Sequence, residues 1–187
     1  MDAFAMLKLY LAHFPHEPES ATGFYEALGR NVVLWGRMEH IIDNTMLRIL
    51  SHPDCKTKLP KEGMPASFKR KMQLWKRMFK NETFLAKHFP RALGFAADVS
   101  GLRHKRNDFI HAMIGRFEAG QNAGAKADRF THKPEATYIT EFRLLASELD
   151  KLQDETAKLL DYLYPIGLGV SAVLWNKRIE QDVPPAG

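Results

Sequence analysis

Cysteine is almost absent from this chain of 187 residues, and Cys55 is the single example. One thiol cannot form an internal disulfide framework or supply a cysteine-rich metal site, so the sequence fits a reducing cytoplasm. A long hydrophobic run is also missing. The longest uncharged stretch, residues 162–176, is interrupted by one proline and two glycines and is too short for a membrane span. No positively charged segment opens the chain, so a secretory signal peptide is not expected.

The familiar enzyme motifs are absent as well. The sequence has no glycine-rich phosphate loop, no HExxH motif and no cluster of cysteine and histidine, so none of these signatures assigns a function. What is present is a globular composition, with 45% hydrophobic and 11% aromatic residues. A chain of this length can bury a substantial core. We therefore predict a single domain over residues 1–187, with its core at about residues 24–163 and a disordered tail at about 181–187.

The net charge is only +5, but the charges are unevenly distributed. Nine lysines or arginines fall between Lys56 and Lys80 against one acid, and residues 103–106 form a second basic cluster. Residues 135–161 reverse the balance with seven acids. A basic region raises the local concentration of a polyanion such as RNA. The alternative is an ordinary lysine-rich surface exposed to water.

Apolar residues recur at helical spacing along most of the chain, which predicts an all-α fold of five to six helices. A loop is expected over the proline-rich residues 51–66, and glycines from residue 115 onward break the helical pattern. There, Met113 to Glu118 and Arg129 to His132 are expected to pair as a minor β-hairpin. The predicted helices cover residues 24–50, 67–80, 90–114, 141–163 and 166–180, with shorter helical segments at 3–14 and 82–88.

One short segment carries the most specific chemistry of the sequence: Arg106-Asn107-Asp108-Phe109-Ile110-His111. On a helix, Asn107 and His111 share a face, and the long arginine side chain can swing back toward the histidine. Histidine transfers protons near neutral pH, and the guanidinium fork matches the geometry of a phosphate. This set can therefore bind a phosphodiester and move protons on it without a metal. The alternative is an amphipathic helix on which Arg106 is solvated and His111 lies at an edge.

The segment from Leu102 to Ala112 resembles the signature of the HEPN superfamily. In that signature an arginine, a polar residue and a histidine are spaced as Arg106, Asn107 and His111 are here, on a late helix of a small α-helical domain. A second segment, Leu28 to Ile42, resembles the first long core helix of the family, with its aromatic residue and glutamate. The resemblance covers about residues 24–163 and implies a HEPN-like helical bundle.

Many HEPN proteins are metal-independent endoribonucleases, often in toxin–antitoxin or other defence systems. The resemblance implies that Arg106, His111 and Asn107 are catalytic, that RNA is cleaved to 2′,3′-cyclic phosphate and 5′-hydroxyl ends, and that no metal or cofactor takes part. It also implies a homodimer in which two motifs share one cleft, with an antitoxin or nucleotidyltransferase as a candidate protein partner. The basic clusters contribute the residues expected to bind the RNA: Lys69, Arg70, Arg103 and Lys105.

Two other functions stay open on the sequence alone. Some HEPN proteins have lost catalysis and only bind a nucleotide, RNA or a partner protein, and this chain could be such a module. It could also be a helical scaffold in which the motif is structural. The presence of Arg106, Asn107 and His111 together favours the ribonuclease over both alternatives.

Glu39 stands out on the predicted 24–50 helix because it lies on the apolar side, four residues after Trp35 and three before Ile42. A buried carboxylate is costly without a partner. We therefore predict that Glu39 approaches Arg106 or His111 and helps to orient them. The alternative is a glutamate at the margin of the stripe that reaches water or pairs with a lysine.

Overall fold

The computed structural model describes residues 20–110, 113–118, 124–133 and 136–182 of the chain. The helix predicted at residues 3–14 and the tail beyond residue 182 lie outside these described residues. The described elements, in chain order, are α1 (Ser20–Leu50), α2 (Phe68–Asn81), α3 (Thr83–His88), α4 (Ala92–Ile110), β1 (Met113–Glu118), β2 (Gly124–Lys133), β3 (Ala136–Leu145) and α5 (Ala146–Asp182).

The described part of the chain is predominantly helical, as predicted, and it divides into two compact units. The first unit contains the described residues up to 30 and from 108 to 151, including the sheet. The second unit contains residues 31–107 and 152–182, and most of the helical core is in it.

Helices α1 to α3 lie close to their predicted positions, and a local capping signal is present at the start of α2. Ser67 precedes α2 with an extended backbone, and its side chain accepts a hydrogen bond from the Arg70 amide at 3.4 Å. A serine at this position satisfies one of the amide groups that a helix leaves unpaired at its start. Helix α4 ends earlier than predicted. It stops at Ile110, and Met113 already belongs to a strand, so the predicted extension of this helix to residue 114 is wrong at its end.

The core of the second unit is built around Trp75 of α2, which is fully buried. Its ring lies 4.7 Å from that of Phe79 and 5.5 Å from that of Phe95, measured between centroids. Its indole N–H donates a hydrogen bond of 2.7 Å to the carbonyl of Ala92, the first residue of α4. A buried tryptophan needs such a partner for its single donor. Trp75 therefore fixes the start of α4 against α2.

The first unit contains a three-stranded antiparallel sheet in the order β1-β2-β3, and the prediction of a two-stranded hairpin is therefore wrong. Strand β1 pairs with residues 124–128, while residues 129–132, which are predicted to pair with it, pair with 137–140 of β3. Strand β3 alternates between the exposed Glu141 and Arg143 and the less exposed Phe142 and Leu144, which is the two-residue period of a half-buried strand. The prediction of a helix from residue 141 missed this alternation.

Gly124 of β2 lies close against the backbone of β3. A Cβ atom built on Gly124 would lie 2.3 Å from the backbone carbonyl oxygen of Leu144, so no larger residue fits without moving a strand. Glycine inside a strand often marks such a close approach of two backbones. The glycine that sequence analysis treated as a helix breaker is thus a requirement of the sheet.

Helix α5 corrects a second prediction, since residues 146–182 form one helix and not two. Pro165 lies inside it and is exposed, so the carbonyl group that loses its helical donor there can be solvated. By length and composition alone, the segment Ala146–Asn176 of this continuous helix could cross a membrane. The core helix of a soluble protein passes the same test, so this is weak evidence for a membrane location.

Two polar contacts fix helices of the second unit to α1. The Nζ atom of Lys71 on α2 lies 2.6 Å from Oδ2 of Asp43, with side-chain exposures of 11% and 32%. Nη1 of Arg48 donates a hydrogen bond of 3.0 Å to the carbonyl of Gly167 on α5. Because Lys71 is almost buried, its charge is tolerable only next to a carboxylate.

Replacing Asp43 by asparagine should therefore destabilise the protein, because Lys71 would keep its charge without an acidic partner. The loss in the free energy of unfolding should fall between the roughly 1 kcal/mol of an exposed ion pair and the roughly 3–5 kcal/mol of a buried one. Urea unfolding followed by circular dichroism measures it. Glu26→Gln is the control, since the pair of Glu26 with Arg30 has side-chain exposures of 65% and 53%. Equal losses in the two variants would contradict the assignment.

Candidate functional site

The last turns of α4 carry the predicted motif, and the structure describes its first two members. Arg106 and Asn107 are both half-buried, and Nη1 of Arg106 donates a hydrogen bond of 3.1 Å to Oδ1 of Asn107. Asn107 therefore holds the guanidinium in place through its amide oxygen. His111 lies outside the described residues, so its predicted place beside Asn107 stays a prediction.

The guanidinium of Arg106 lies over the indole ring of Trp35. Its Cζ atom is 5.5 Å from the ring centroid, within the range of a cation–π interaction. Trp35 is only 3% exposed, so the interaction takes place largely out of water, where it is worth up to about 2 kcal/mol. The ring thus gives Arg106 a fixed platform on α1.

Glu39 acts on this arrangement through Trp35. Its Oε1 atom accepts a hydrogen bond of 2.6 Å from the indole Nε1, one helical turn away on the same helix. Among the residues that the structure describes, Glu39 forms no direct hydrogen bond or ion pair with Arg106. The carboxylate, which is predicted to approach Arg106 or His111, is therefore linked to Arg106 through the tryptophan, and His111 lies outside the described residues. The spacing of Trp35 and Glu39, four residues apart on one face, was the signal available for this contact.

Two arginine N–H groups of α4 are buried without an acceptor among the described residues. They are Nε of Arg103 and Nε of Arg106. The two residues are three apart on one helix and so lie on the same side of it. A buried donor that lacks an acceptor costs roughly 1–3 kcal/mol, more when the group is charged. An anion bound at this side of α4 would supply the missing acceptors.

A cleft of about 410 Å³ lies between α2 and α4 in the second unit, and we call it the α2–α4 cleft. Three cationic side chains line it, and no acidic residue does. Its volume falls in the roughly 300–1,000 Å³ range of small-ligand sites. The lining residues are Phe68, Lys69, Met72, Gln73, Lys76, Ser100, Arg103 and His104.

The four residues predicted to bind RNA are separated by the structure. Lys69 and Arg103 lie together on the α2–α4 cleft. Arg70 lines a different cleft of about 480 Å³, next to the loop before α2. The Nζ atom of Lys105 forms an ion pair of 3.1 Å with Glu155, which partly neutralises it. The sequence alone does not show that Lys76, Gln73 and Ser100 share a cleft, because only the packing of α2 against α4 brings them together.

The other reactive side chains in the described part of the chain form no competing site. Burial raises the pKa of the Cys55 thiol, and the charge of Glu82 raises it further, against the opposing effect of the Thr57 backbone. The thiol is therefore protonated at neutral pH and is a poor nucleophile. His40 shares a hydrogen bond of 2.8 Å with Asn44 on the exposed side of α1. No three His, Cys, Asp or Glu side chains come together as metal ligands among the residues described.

No family model, no curated protein and no solved structure matches the chain. The resemblance to the HEPN superfamily therefore depends on the residues of the motif and of α1. The contacts of Arg106 with Trp35 and Asn107 are an independent property of this chain, and they hold whether or not the chain has HEPN relatives.

The link between Trp35 and Arg106 can be measured by a double-mutant cycle with Trp35→Leu and Arg106→Gln. We expect a coupling energy of about 1 kcal/mol, because each single variant alone removes the cation–π contact. Urea unfolding of the four proteins gives this value. The matched control is the cycle of Trp35→Leu with Arg37→Gln, an exposed arginine on α1, which should show a coupling near zero. The same coupling in both cycles would rule out a specific contact.

Proposed function

We propose that this protein is a HEPN-like, metal-independent endoribonuclease. The observation that carries the proposal is the fixed guanidinium of Arg106, held by Trp35 and Asn107 and with a buried N–H that lacks an acceptor among the described residues. A cation fixed in this way is suited to a phosphate whose charge increases during the reaction. His111 follows five residues later in the sequence and is the proton-transfer group.

The reaction assigns a separate role to each side chain. A histidine takes the proton of the ribose 2′-hydroxyl, and the 2′-oxygen attacks the adjacent phosphorus. The bond from phosphorus to the 5′-oxygen breaks, and that oxygen leaves with a proton from an imidazolium. Arg106 stabilises the negative charge of the pentavalent intermediate, and Asn107 positions Arg106. The products are a 2′,3′-cyclic phosphate and a 5′-hydroxyl.

One arginine and one histidine per chain do not suffice for this scheme, because one imidazole must accept a proton while another donates one. A symmetric homodimer supplies the second pair. In this arrangement the two motifs share a cleft, and each reaction centre combines groups from both protomers. An antitoxin or nucleotidyltransferase partner would act by covering that cleft.

The activity is tested by incubating the purified protein with end-labelled RNA in excess EDTA. His111→Ala should reduce cleavage by about 10²–10⁴-fold, because proton transfer contributes that much. Arg106→Ala should act similarly, and Asn107→Ala should do less, since it only positions Arg106. The new ends should accept phosphate from polynucleotide kinase without prior dephosphorylation, as 5′-hydroxyl ends do.

The matched control for the histidine is His88→Ala, an exposed residue whose ring contacts Phe84 on the same helix, α3. It should cleave like the wild type. Equal cleavage by the wild type and His111→Ala would show that a contaminant or another site is responsible. Binding of RNA without cleavage would favour the non-catalytic alternative.

The composite site is tested by mixing the wild type with an equal amount of His111→Ala. Every dimer that contains the variant lacks one of the two histidines that the scheme needs and should be inactive. Random exchange leaves about a quarter of all dimers fully wild-type, so the activity per wild-type protomer should fall to about half. If each protomer works alone, the added variant leaves the wild-type activity unchanged. Light scattering that shows a monomer at micromolar concentration would also refute the dimer.

A further inference from the structure

The cations of α2 and α4 differ in whether they have an acidic partner. Lys71 pairs with Asp43 at 2.6 Å, and Lys105 pairs with Glu155 at 3.1 Å. Lys69, Lys76 and Arg103 form no ion pair among the residues that the structure describes, although all three line the α2–α4 cleft. The positive charge of this cleft is therefore not compensated within the described structure.

Arg103 gives the cleft a more specific feature than charge. Its Nε–H group is buried and has no acceptor among the described residues, while the residue as a whole is only half-buried. Arg103 lines the cleft, and none of its N–H groups has an acceptor among the described residues, so its guanidinium can donate to an anion that enters the cleft. Phosphate oxygens accept hydrogen bonds from a guanidinium in the fork geometry that an arginine presents.

The two walls of the cleft present their polar groups along the helix axes. On α2, Lys69, Gln73 and Lys76 are spaced four and three residues apart and form one stripe. Ser100, Arg103 and His104 form the facing stripe on α4. An extended chain of phosphates fits such a row of donors better than a single compact anion does.

An aromatic contact joins this cleft to the motif of the proposed ribonuclease. The Phe68 ring, which lines the cleft, lies 5.2 Å from the Trp35 ring, and Trp35 supports Arg106. Arg103 and Arg106 are also one helical turn apart on the same side of α4. A strand that places one phosphate at Arg106 therefore has Arg103 within reach of a neighbouring phosphate, and Phe68 is available for stacking by a base.

We infer that the α2–α4 cleft binds the backbone of single-stranded RNA next to the scissile phosphate. Lys69, Lys76 and Arg103 contact phosphates, and Phe68 stacks on a base. The combination of a cationic groove with an aromatic ring is the usual mode of binding to single strands, since bases in a duplex are not open to stacking. The inference rests on the proposed function for the claim that this RNA is the substrate, but the binding itself is measured without cleavage.

The test is a titration of the full-length protein into a labelled single-stranded RNA that is 2′-O-methylated throughout. This RNA cannot be cleaved because its 2′-oxygens carry no proton. The triple variant Lys69→Gln, Lys76→Gln, Arg103→Gln should weaken binding at least tenfold. The slope of log Kd against log salt should fall by about 2, which corresponds to three lost contacts with a single strand. A matched triple variant of exposed lysines outside the cleft, Lys80→Gln, Lys87→Gln, Lys158→Gln, should leave both values unchanged.

A second variant examines the aromatic contact. Phe68→Leu should weaken binding of the single strand about tenfold while the salt slope stays the same, because stacking releases no counterions. A duplex of the same sequence should bind more weakly to the wild type and should not respond to Phe68→Leu.

Three results would overturn the inference. Equal losses in the two triple variants would show a diffuse attraction to surface charge. Equal competition by polyglutamate would show an anion site without preference for nucleic acid, and equal binding of the duplex would refute the single-strand claim. The failure of the proposed function looks different: the wild type would then bind the methylated RNA through the cleft but leave unmodified RNA intact.

Discussion

The indole of Trp35 is the contact on which the candidate site depends, because it touches side chains of three helices. Its N–H is bound by Glu39 on α1, its face supports Arg106 on α4, and its ring packs at a tilt against that of Phe68 on α2. Since the ring is buried, none of these contacts can shift without disturbing the core of the second unit. The position of the arginine is therefore set by packing, and an arginine on a surface helix would lack this restraint.

The basic residues of α2 and α4 fall into two groups. Some are paired with a carboxylate of the protein, and others form no ion pair among the described residues and can bind a ligand. The charge of an almost buried cation such as Lys71 is paired with a carboxylate, and loss of that partner costs stability, so this charge serves the fold. Exposed cations such as Lys69 and Lys76 have no such requirement and contribute little to folding. Their concentration on one cleft, together with the buried donor of Arg103, places the available charge where a ligand can enter.

The sequence was sufficient to predict α1, α2 and α3, because caps, prolines and apolar stripes are local signals. It failed at residues 136–145 for a physical reason. Leu145, Leu149 and Leu152 follow helical spacing, and Phe142, three residues before Leu145, extends this apolar stripe backward. The competing two-residue alternation covers only a few residues, and pairing with β2, which decides between the two, is a nonlocal interaction. Pro165 caused the opposite error. The sequence predicts that a helix ends before this proline, whereas α5 continues through it.

In the candidate site too, the contacts between side chains that are distant in the sequence could not be predicted from the sequence. Arg106, Asn107 and the basic clusters are visible in the sequence because their chemistry is distinctive. The roles of Trp35 and Phe68 are not visible, since an aromatic residue on an apolar stripe is usually only part of the core, and Trp35 does pack there. What distinguishes Trp35 is that a guanidinium lies on one side of its ring and a carboxylate binds its N–H. A core residue thus also fixes the proposed catalytic group, so stability and the geometry of the site are properties of the same contact.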